Sequence, residues 1–410
     1  MKKKVLIIVS YLSGGGAEHV ARKNLEFLER DENYIPAVLT CDQEYIGKYP
    51  ENIFRVRDFR KSQGLFRKTM QSLFFWRNYR QTVLFLELFC PSIIHLHDFL
   101  PFGPGLLFAI RNYKRKTGCK VILTHHTFSY ICTNDSLYNY KREHLCNQCA
   151  GTYNLDIIKN NCANNAFVSF AKYIQKNILK NPLRSTIDLH LAPSEFMRDT
   201  LMRVLRGEQC HLVRNPCVDT VLPVLPEIKK DKMVYFGRIS KEKNIIAFTK
   251  AFLSSDIQTE LLIVGTGPMS DELSALVNEK PQTRVRFINK FMSTSELYCT
   301  IRDAKYFILP AIWYENSPVS IVEAINLGIL PLVSGIGGMR ELINLFGVGV
   351  CFDCSNTKLL SNIIFNLNSL WEESEQSMIR ARRKLSLFTM DAFSKEMASH
   401  YSSVADFGLE

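Results

Sequence analysis

Short runs of apolar residues alternate along the chain with segments in which apolar residues recur at helical spacing. The first run, residues 5–9, ends in a glycine cluster and is followed by a predicted helix over 18–30. The other elements predicted in the first half are strands at 37–40, 92–96 and 120–124 and helices at 73–89 and 107–116. Strands that alternate with helices in this way indicate parallel βαβ units.

The same alternation begins again in the second half, after a proline-containing stretch at 216–226. The elements predicted there are strands at 233–236, 261–264, 307–309 and 330–334 and helices at 244–253, 271–277 and 392–404. Two such series predict an α/β protein with two Rossmann-like domains. The predicted parts are an N-terminal domain (1–190), a linker region (191–230), a C-terminal domain (231–388) and a terminal helix (389–410) that packs back on the first domain.

Composition excludes several classes of protein. With 46% hydrophobic and 22% charged residues among 410, the chain can bury enough apolar surface to fold, so it is not mainly disordered. The first apolar run is too short for a signal peptide, and no run is long enough for a membrane-spanning helix. We therefore expect a cytoplasmic protein whose 12 cysteines are free or metal-bound rather than paired in disulfides.

Positive charge is concentrated in the N-terminal half. The formal net charge is +11, and residues 1–190, with 27 basic and 15 acidic side chains, carry +12. Such a surface attracts phosphate, nucleic acid or an anionic membrane. Residues 64–89 mix aromatic and basic side chains, which is typical of a helix that lies on a membrane or of a core helix with arginines at its edge. A core helix does not explain the charge of the whole domain, so we favour membrane docking.

Two turns between a strand and a helix are candidates for binding phosphate. Gly14, Gly15 and Gly16 follow the first strand, where glycine lets a ligand approach the amide groups of a helix N-terminus. The second turn carries Arg238 and Lys243, which can clamp a diphosphate. The alternatives are a tight turn in the first case and a solvated basic turn in the second.

The most specific segment runs from 313 to 324 and contains two glutamates eight positions apart. If a helix begins at Ser317 or Pro318, Glu315 lies in the loop before it and Glu323 lies one to two turns inside it. One carboxylate can then bind hydroxyl groups at the mouth of the helix, and the other can bind hydroxyl groups further along. A Gly337-Gly338 turn follows downstream.

These motifs, in this order, resemble the retaining glycosyltransferases of family 4. The resemblance covers nearly the whole chain and includes the motifs at 14–18, 94–97, 124–126, 192–195, 215–216, 237–244, 265–268, 315–323 and 337–338. It implies the GT-B fold, in which two Rossmann-like domains face each other across a cleft. It also implies that the C-terminal domain binds the nucleotide-sugar donor and the N-terminal domain the acceptor.

The resemblance further implies roles for single residues. Arg238 and Lys243 would hold the donor diphosphate, Glu315 would lie near the hydroxyl groups of the donor sugar, and Glu323 would bind the nucleotide ribose. The implied donor-binding residues are Gly15, Gly16, Arg238, Lys243, Gly267, Glu315, Asn316, Ser317 and Glu323, and the implied acceptor-binding residues are Gly14 and His97.

The active-site histidine of the family is usually followed by aspartate, and this chain departs from that pattern. It has His125 and His126 in succession, and the preceding strand and the downstream Cys132 favour His126, with Thr127 in place of the aspartate. The implied catalytic residues are His126, Glu315, Arg238 and Lys243. Since no Asp-x-Asp motif is present, basic side chains would stabilise the leaving diphosphate, and no metal cofactor is implied for catalysis.

Four cysteines lie within a polar insert at 130–165. Cys132, Cys146, Cys149 and Cys162 have the spacing C-x13-C-x2-C-x12-C. Two cysteines separated by two residues and flanked by outlying ones are typical of a structural zinc site, which would order the segment. Free thiols in a loop are the alternative.

The sequence therefore predicts a retaining glycosyltransferase, peripheral on the inner face of the cell membrane. It would transfer a sugar from a nucleotide-sugar donor, preferably a UDP-sugar, to a glycan or a lipid-diphosphate-linked glycan in surface polysaccharide biosynthesis. The alternatives are a nucleotide-sugar hydrolase or epimerase on the same fold, or a nucleic-acid-binding protein without enzymatic activity. Glu315 and Glu323 would repel nucleic acid, so we do not expect it as a partner.

Overall fold

Two parallel β-sheets organise the chain, and each belongs to a separate unit. A computed structural model describes residues 2–45, 52–62, 64–150, 155–205, 209–218, 229–255, 257–279, 284–354 and 365–406. The first unit comprises Met1–Pro216 and Asp391–Glu410, and the second unit comprises Cys217–Met390. The prediction of an α/β protein with two Rossmann-like domains is confirmed.

The first unit is built on seven parallel strands. Including a short antiparallel pair, β6 with β7, its strands are β1 (Lys3–Val9), β2 (Tyr34–Thr40), β3 (Ile53–Arg55), β4 (Ile93–Leu96), β5 (Lys120–Thr124), β6 (Tyr138–Asn139), β7 (His144–Leu145), β8 (Leu189–Ala192) and β9 (Cys210–Leu212). The seven lie in the order β3-β2-β1-β4-β5-β8-β9. The last five residues of β1 are all buried, which explains why this strand is a continuous apolar run in the sequence.

The second unit is built on six parallel strands. They are β10 (Lys230–Phe236), β11 (Glu260–Val264), β12 (Val285–Ile288), β13 (Ala304–Leu309), β14 (Leu330–Ser334) and β15 (Val350–Phe352). Their order is β12-β11-β10-β13-β14-β15, which repeats the arrangement of the first unit. Aromatic and aliphatic side chains from these strands and from the surrounding helices form its core.

Helices connect the strands of both sheets. In chain order they are α1 (Gly16–Arg30), α2 (Leu65–Leu73), α3 (Trp76–Phe89), α4 (Pro104–Thr117), α5 (Asp156–Lys159), α6 (Ala166–Thr186), α7 (Glu195–Met202), α8 (Ile245–Leu253), α9 (Ser270–Asn278), α10 (Thr294–Ile301), α11 (Val319–Asn326), α12 (Gly337–Phe346), α13 (Leu367–Arg382) and α14 (Met390–Asp406). Among the described residues, none of the helices combines the length and the apolar character needed to span a membrane.

Both sheets reverse their strand order at one point. In the first unit β1 lies between β2 and β4, and in the second unit β10 lies between β11 and β13. Ligands of open α/β sheets bind beyond the carboxyl ends of the strands at such a point. The loops that follow β1 and β4, and those that follow β10 and β13, are therefore the places to look for a site in each unit.

The predicted linker region at 191–230 begins too early. Residues up to Pro216 belong to the first unit, because β9 pairs with β8 and completes the sheet. The Ser194 hydroxyl between them accepts a hydrogen bond from the Met197 amide and caps α7. Part of the predicted linker, 219–228, lies outside the described residues. The terminal helix α14 is part of the first unit from Asp391 onward.

The helix predicted at 73–89 begins three residues later, at Trp76, and Leu73 is instead the last residue of a separate helix, α2. The chain becomes extended at Phe74, between α2 and α3, and the side chain of Phe75 is buried. A Cβ atom added to Gly103 would lie 3.2 Å from the Cβ atom of Phe75, so the Phe75 side chain begins directly against the turn before α4. Burial of this aromatic side chain explains the break, which helical periodicity alone does not reveal.

Candidate active site

In the second unit, Lys243 and Glu315 form an ion pair at the reversal of strand order. The Lys243 Nζ lies 2.6 Å from the Glu315 Oε1, and both side chains are largely buried. The indole N–H of Trp313 donates to the same carboxylate oxygen, and Lys243 Nζ lies 5.9 Å from the centre of the indole ring. The structure thus brings two predicted site residues, from the loops after β10 and β13, into direct contact.

The backbone at Glu315 is held by the first turn of α12. The Gly338 amide donates to the Glu315 carbonyl at 2.8 Å. A Cβ atom on Gly338 would lie 1.8 Å from the Asn316 carbonyl oxygen, so only glycine allows this approach. The Gly337-Gly338 turn therefore positions the loop that contains Glu315, Asn316 and Ser317 ahead of α11.

Glu323 lies within α11, as the sequence predicts. The Tyr298 hydroxyl donates to its Oε1 at 3.3 Å, and burial raises the pKa of the carboxyl group to about 7. Tyr298 comes from α10, and sequence reasoning missed it because nothing in the pattern around it marks a site. Among the described residues, this long hydrogen bond is the one that the Glu323 carboxyl group accepts, so its oxygens can also accept hydrogen bonds from hydroxyl groups of a ligand.

Gly267 has a packing role in the structure. A Cβ atom on Gly267 would lie 2.2 Å from the Ile239 carbonyl oxygen, and one on Gly265 would lie 1.9 Å from the Gly237 carbonyl oxygen. These glycines let the loop after β11 pack directly on the loop that carries Arg238. The Arg238 side chain is exposed, and its carbonyl accepts a hydrogen bond from the Tyr235 hydroxyl at 2.7 Å.

In the first unit, the glycine turn follows β1 and opens α1. Gly14 has a φ of +131°, which favours glycine, and Gly15 is the N-terminal cap residue of the helix. The Asp42 carboxylate holds the turn by accepting hydrogen bonds from the Leu12 amide at 3.1 Å and the Ser13 hydroxyl at 3.2 Å. The amides of Gly14, Gly15 and Gly16 are thus arranged at the N-terminus of a fifteen-residue helix.

His125 and His126 have different surroundings. His125 is 3% exposed, and its Nε2 lies 2.8 Å from the Nδ1 of His190 within the core. His126 is partly exposed, and its Nε2 lies 2.9 Å from the Nδ1 of His97. Burial lowers the pKa of His126 to about 4, so the ring is neutral at pH 7. These surroundings favour His126 over His125 as the residue that meets a ligand.

Thr127 stands where the family usually has aspartate, and it has a local structural role. Its side-chain oxygen accepts a hydrogen bond from the Ser129 amide at 3.3 Å and caps a short 3₁₀ helix, Phe128–Tyr130. An acidic partner for His126 is therefore replaced at this position by a capping hydroxyl group.

The cysteines of the insert are close enough to influence one another. Burial, followed by the neighbouring thiols, raises the pKa of Cys149 to about 12, and the same causes raise the pKa of Cys162. Among the residues that the structure describes, no three histidine, cysteine, aspartate or glutamate side chains are placed to hold a metal ion. A zinc ion on Cys132, Cys146, Cys149 and Cys162 therefore stays a prediction.

The zinc prediction is tested by elemental analysis of protein purified without added metal. We expect about one zinc per chain in the parent protein and almost none in a Cys146→Ser/Cys149→Ser variant, because a zinc site needs most of its four ligands. Cys351→Ser/Cys354→Ser, which alters the other pair with this spacing, is the matched control and should keep the metal. Zinc-free parent protein with four freely alkylated thiols would contradict the prediction.

Two Rossmann-like units in succession are the architecture of GT-B glycosyltransferases, and matches to glycosyltransferase families cover both units. Residues 14–220 match the family described as Glycosyltransferase Family 4, and residues 224–385 match Glycosyl transferases group 1. The chain belongs to glycosyltransferase family 4, and the resemblance seen in the sequence is confirmed.

Individual proteins are similar to this chain at lower identity. The glycosyltransferase WcaL of Salmonella typhimurium, assigned to colanic acid biosynthesis, is 25% identical over 179 residues, which is 41% of this chain and 44% of that protein. The match thus spans less than half of the length of WcaL. Sucrose-phosphate synthase from Thermosynechococcus elongatus has a TM-score of 0.72 at 16% identity, over 98% of this chain and 99% of that one. Anabaena HepE in complex with UDP-glucose has a TM-score of 0.68 at 14% identity, with the same coverage.

Proposed function

We propose that the chain is a retaining glycosyltransferase that uses a nucleotide sugar, of the UDP type, without a metal cofactor in catalysis. The observation that carries the proposal is the contact of Lys243 with Glu315 on a loop fixed by Gly338. A cation for the diphosphate and a carboxylate for sugar hydroxyl groups are thereby side by side. The UDP-glucose of the HepE complex favours uridine as the nucleoside of the donor.

In the proposed reaction, the acceptor hydroxyl attacks the anomeric carbon on the face from which the diphosphate leaves. The leaving phosphate takes the proton of that hydroxyl group. Lys243 and Arg238 stabilise the charge that develops on the diphosphate, Glu323 binds the ribose, and His126 orients the sugar. The ion pair between Lys243 and Glu315 holds the lysine in place before the diphosphate arrives.

Binding of the nucleotide is tested with UDP alone. We expect Arg238→Ala and Lys243→Ala to weaken UDP and UDP-sugar binding together, because each removes a charge from the diphosphate site. Removing a charged hydrogen-bond partner typically costs about 1.5–3 kcal/mol, or roughly 10- to 150-fold in affinity. Calorimetric titration measures both ligands, and unchanged UDP affinity in both variants would contradict the assignment.

The two glutamates should behave differently in the same titration. Glu323→Gln is expected to weaken UDP binding, because the ribose loses its carboxylate partner. Glu315→Gln is expected to leave UDP binding intact or stronger, because Lys243 loses its competing ion pair, and to weaken only UDP-sugar binding. Identical effects of the two variants on UDP would show that their roles are not divided in this way.

We propose that the acceptor is a glycan carried on a lipid diphosphate and that the first unit docks on an anionic membrane during surface polysaccharide synthesis. The assignment of WcaL to colanic acid biosynthesis favours this class of product. Phe66 is 70% exposed and Trp76 is 58% exposed, and the side chains of Arg67, Lys68 and Arg77 beside them are exposed as well. A core position would bury these rings, so their exposure supports the membrane interpretation.

Membrane docking is tested with vesicles of anionic and neutral lipid. We expect binding to anionic vesicles and release by salt, since each basic residue near the surface contributes about 1 kcal/mol. Arg67→Glu/Lys68→Glu should abolish most of this binding. Arg115→Glu/Lys116→Glu, an equal charge change at exposed positions of α4, is the control and should retain more of it. Equal binding of the parent protein to both vesicle types, or none to either, would contradict the proposal.

A further inference from the structure

A chain of buried polar groups leads from the terminal helix to His126. Asn24 of α1 and Tyr401 of α14 are both fully buried. The Asn24 Nδ2 lies 3.1 Å from the His97 Nε2 and 3.0 Å from the Tyr401 hydroxyl oxygen. On the opposite side of its ring, His97 Nδ1 lies 2.9 Å from the His126 Nε2. His97 thus uses both ring nitrogens, one toward Asn24 and one toward His126.

The donors in this chain can be assigned so that His97 Nε2 accepts a hydrogen bond from the Asn24 amide. The Asn24 amide nitrogen lies near three groups, His97 Nε2, the Tyr401 hydroxyl and, at 2.9 Å, His95 Nδ1. Its two N–H groups are assigned to the first two, because the Tyr401 hydroxyl can supply the proton to His95 Nδ1. The Tyr401 hydroxyl then donates to His95 Nδ1 at 2.8 Å, and His95 Nε2 donates to the Thr124 hydroxyl at 2.7 Å. If the Asn24 amide were rotated by 180°, its nitrogen and oxygen would exchange places, and both N–H groups would lie where the carbonyl oxygen now is. Among the described residues, the hydrogen-bond partner of that oxygen is the Tyr401 hydroxyl, at 3.3 Å. Buried donors without partners are costly, so the first assignment is favoured.

The assignment determines where His126 carries its proton. Burial lowers the pKa of both His97 and His126, so each ring is neutral and has one donor and one acceptor nitrogen. Since Asn24 donates to Nε2 of His97, that ring is protonated on Nδ1 and donates to His126 Nε2. His126 must then be protonated on Nδ1.

We propose that Asn24 sets the tautomer of His126 through His97, and that Tyr401 of the terminal helix holds the Asn24 amide in the required orientation. The three are positioning residues for the histidine that orients the sugar, so the inference rests on the proposed function of His126. Tyr401 is itself fixed by packing, because its ring stacks on Phe27 with centroids 6.1 Å apart. The terminal helix, which is remote in sequence, thereby takes part in the site of the first unit.

The test is ¹⁵N NMR of the full chain labelled at histidine, which distinguishes Nδ1–H from Nε2–H. The His126 signals are identified by their loss in His126→Gln. We expect the Nδ1–H tautomer at His126 in the parent protein. In Asn24→Asp, the carboxylate accepts from His97 Nε2, so a neutral His97 accepts at Nδ1, and the spectra are recorded at a pH at which the ¹⁵N shifts show His97 of the variant to be neutral. His126 should therefore change to Nε2–H, with kcat lowered at least about ten-fold and the donor KM nearly unchanged.

Two further variants distinguish this hydrogen-bond relay, from Asn24 through His97 to His126, from an effect of general packing. Tyr401→Phe keeps the stacked ring but removes the hydroxyl group, and it should give a mixture of His126 tautomers. Thr124→Val removes the hydrogen bond on the far side of His95 and should leave the His126 tautomer as in the parent protein. An Nε2–H tautomer at His126 in the parent protein would overturn the proposal, and this spectrum needs no variant to fold. An unchanged His126 tautomer in folded Asn24→Asp with a neutral His97 would overturn it as well. A tautomer change without any change in kcat would support the relay and overturn the role of His126 in transfer.

Discussion

Replacing Gly338 with alanine is expected to lower kcat/KM by about 100-fold, the cost of displacing a catalytic group by roughly 1 Å. The new Cβ atom would lie 1.8 Å from the Asn316 carbonyl oxygen and 2.8 Å from the Glu315 carbonyl oxygen, where only backbone atoms can yield. The loop must move away from α12 and take the Glu315 carboxylate with it. Lys243 then loses its ion-pair partner, and the groups that bind the diphosphate and the sugar are no longer correctly placed relative to each other.

Gly347→Ala is the matched control for this variant. Gly347 follows the last residue of the same helix, has a φ of +70°, and has open space around the position of a Cβ atom. Its replacement should cost only the left-handed backbone penalty of about 1–2 kcal/mol and leave kcat/KM nearly unchanged. Thermal unfolding and steady-state kinetics of the two variants make the comparison. Equal activity of Gly338→Ala and the parent protein would show that the α12 contact does not position the loop.

The first unit is expected to lose stability steeply as the pH falls below about 6.5, the usual pKa of histidine. Burial lowers the pKa of His95 to about 3 and of His126 to about 4, and it lowers the pKa of His97 and His125 well below the usual value. As the pH falls, the unfolded chain therefore binds protons at histidines that stay neutral in the folded unit. Stability from these groups is present above the unfolded pKa and is lost as the pH falls toward the folded values.

The size of this effect follows from proton linkage. Each histidine that is protonated only in the unfolded state contributes up to about 1.4 kcal/mol per pH unit, so the four together approach roughly 5 kcal/mol per pH unit. Glu323 in the second unit makes stability depend on pH in the opposite direction. Its raised pKa of about 7 means that its contribution is present at low pH and is lost as the pH rises through 7.

Calorimetric unfolding at pH 7.5, 6.5 and 5.5 tests this prediction. The transition of the first unit should move to lower temperature as the pH falls, whereas Glu323 gives the second unit no such loss. His126→Gln should reduce the number of protons bound on unfolding of the first unit by about one, and with it the dependence of stability on pH, since it removes one of the four neutral histidines. A first transition that is independent of pH between 7.5 and 5.5 would contradict the buried, neutral state of the cluster.

Much of the fold could be predicted because the signals are local. Apolar strands such as β1, β5 and β14 are buried on both faces, so their apolar runs identify them without knowledge of their neighbours. Shorter or less buried strands, such as β3, β9 and β12, escaped prediction. Their residues are largely half-exposed, and they are strands because a neighbouring strand offers hydrogen bonds.

For the candidate site, the sequence alone determined the residue types and their place on a strand end, a turn or a helix. Glu315 before a helix and Glu323 within it follow from spacing, since both lie in one short segment. The tertiary structure alone decided which residues meet: Lys243 with Glu315, Gly338 with Asn316, and Tyr298 with Glu323. It also joined Asn24 to Tyr401, which is 377 positions away. Periodicity reports how a residue relates to its own helix or strand. Contacts between elements depend on sheet order and on how closely two backbones can approach, and no local pattern records either.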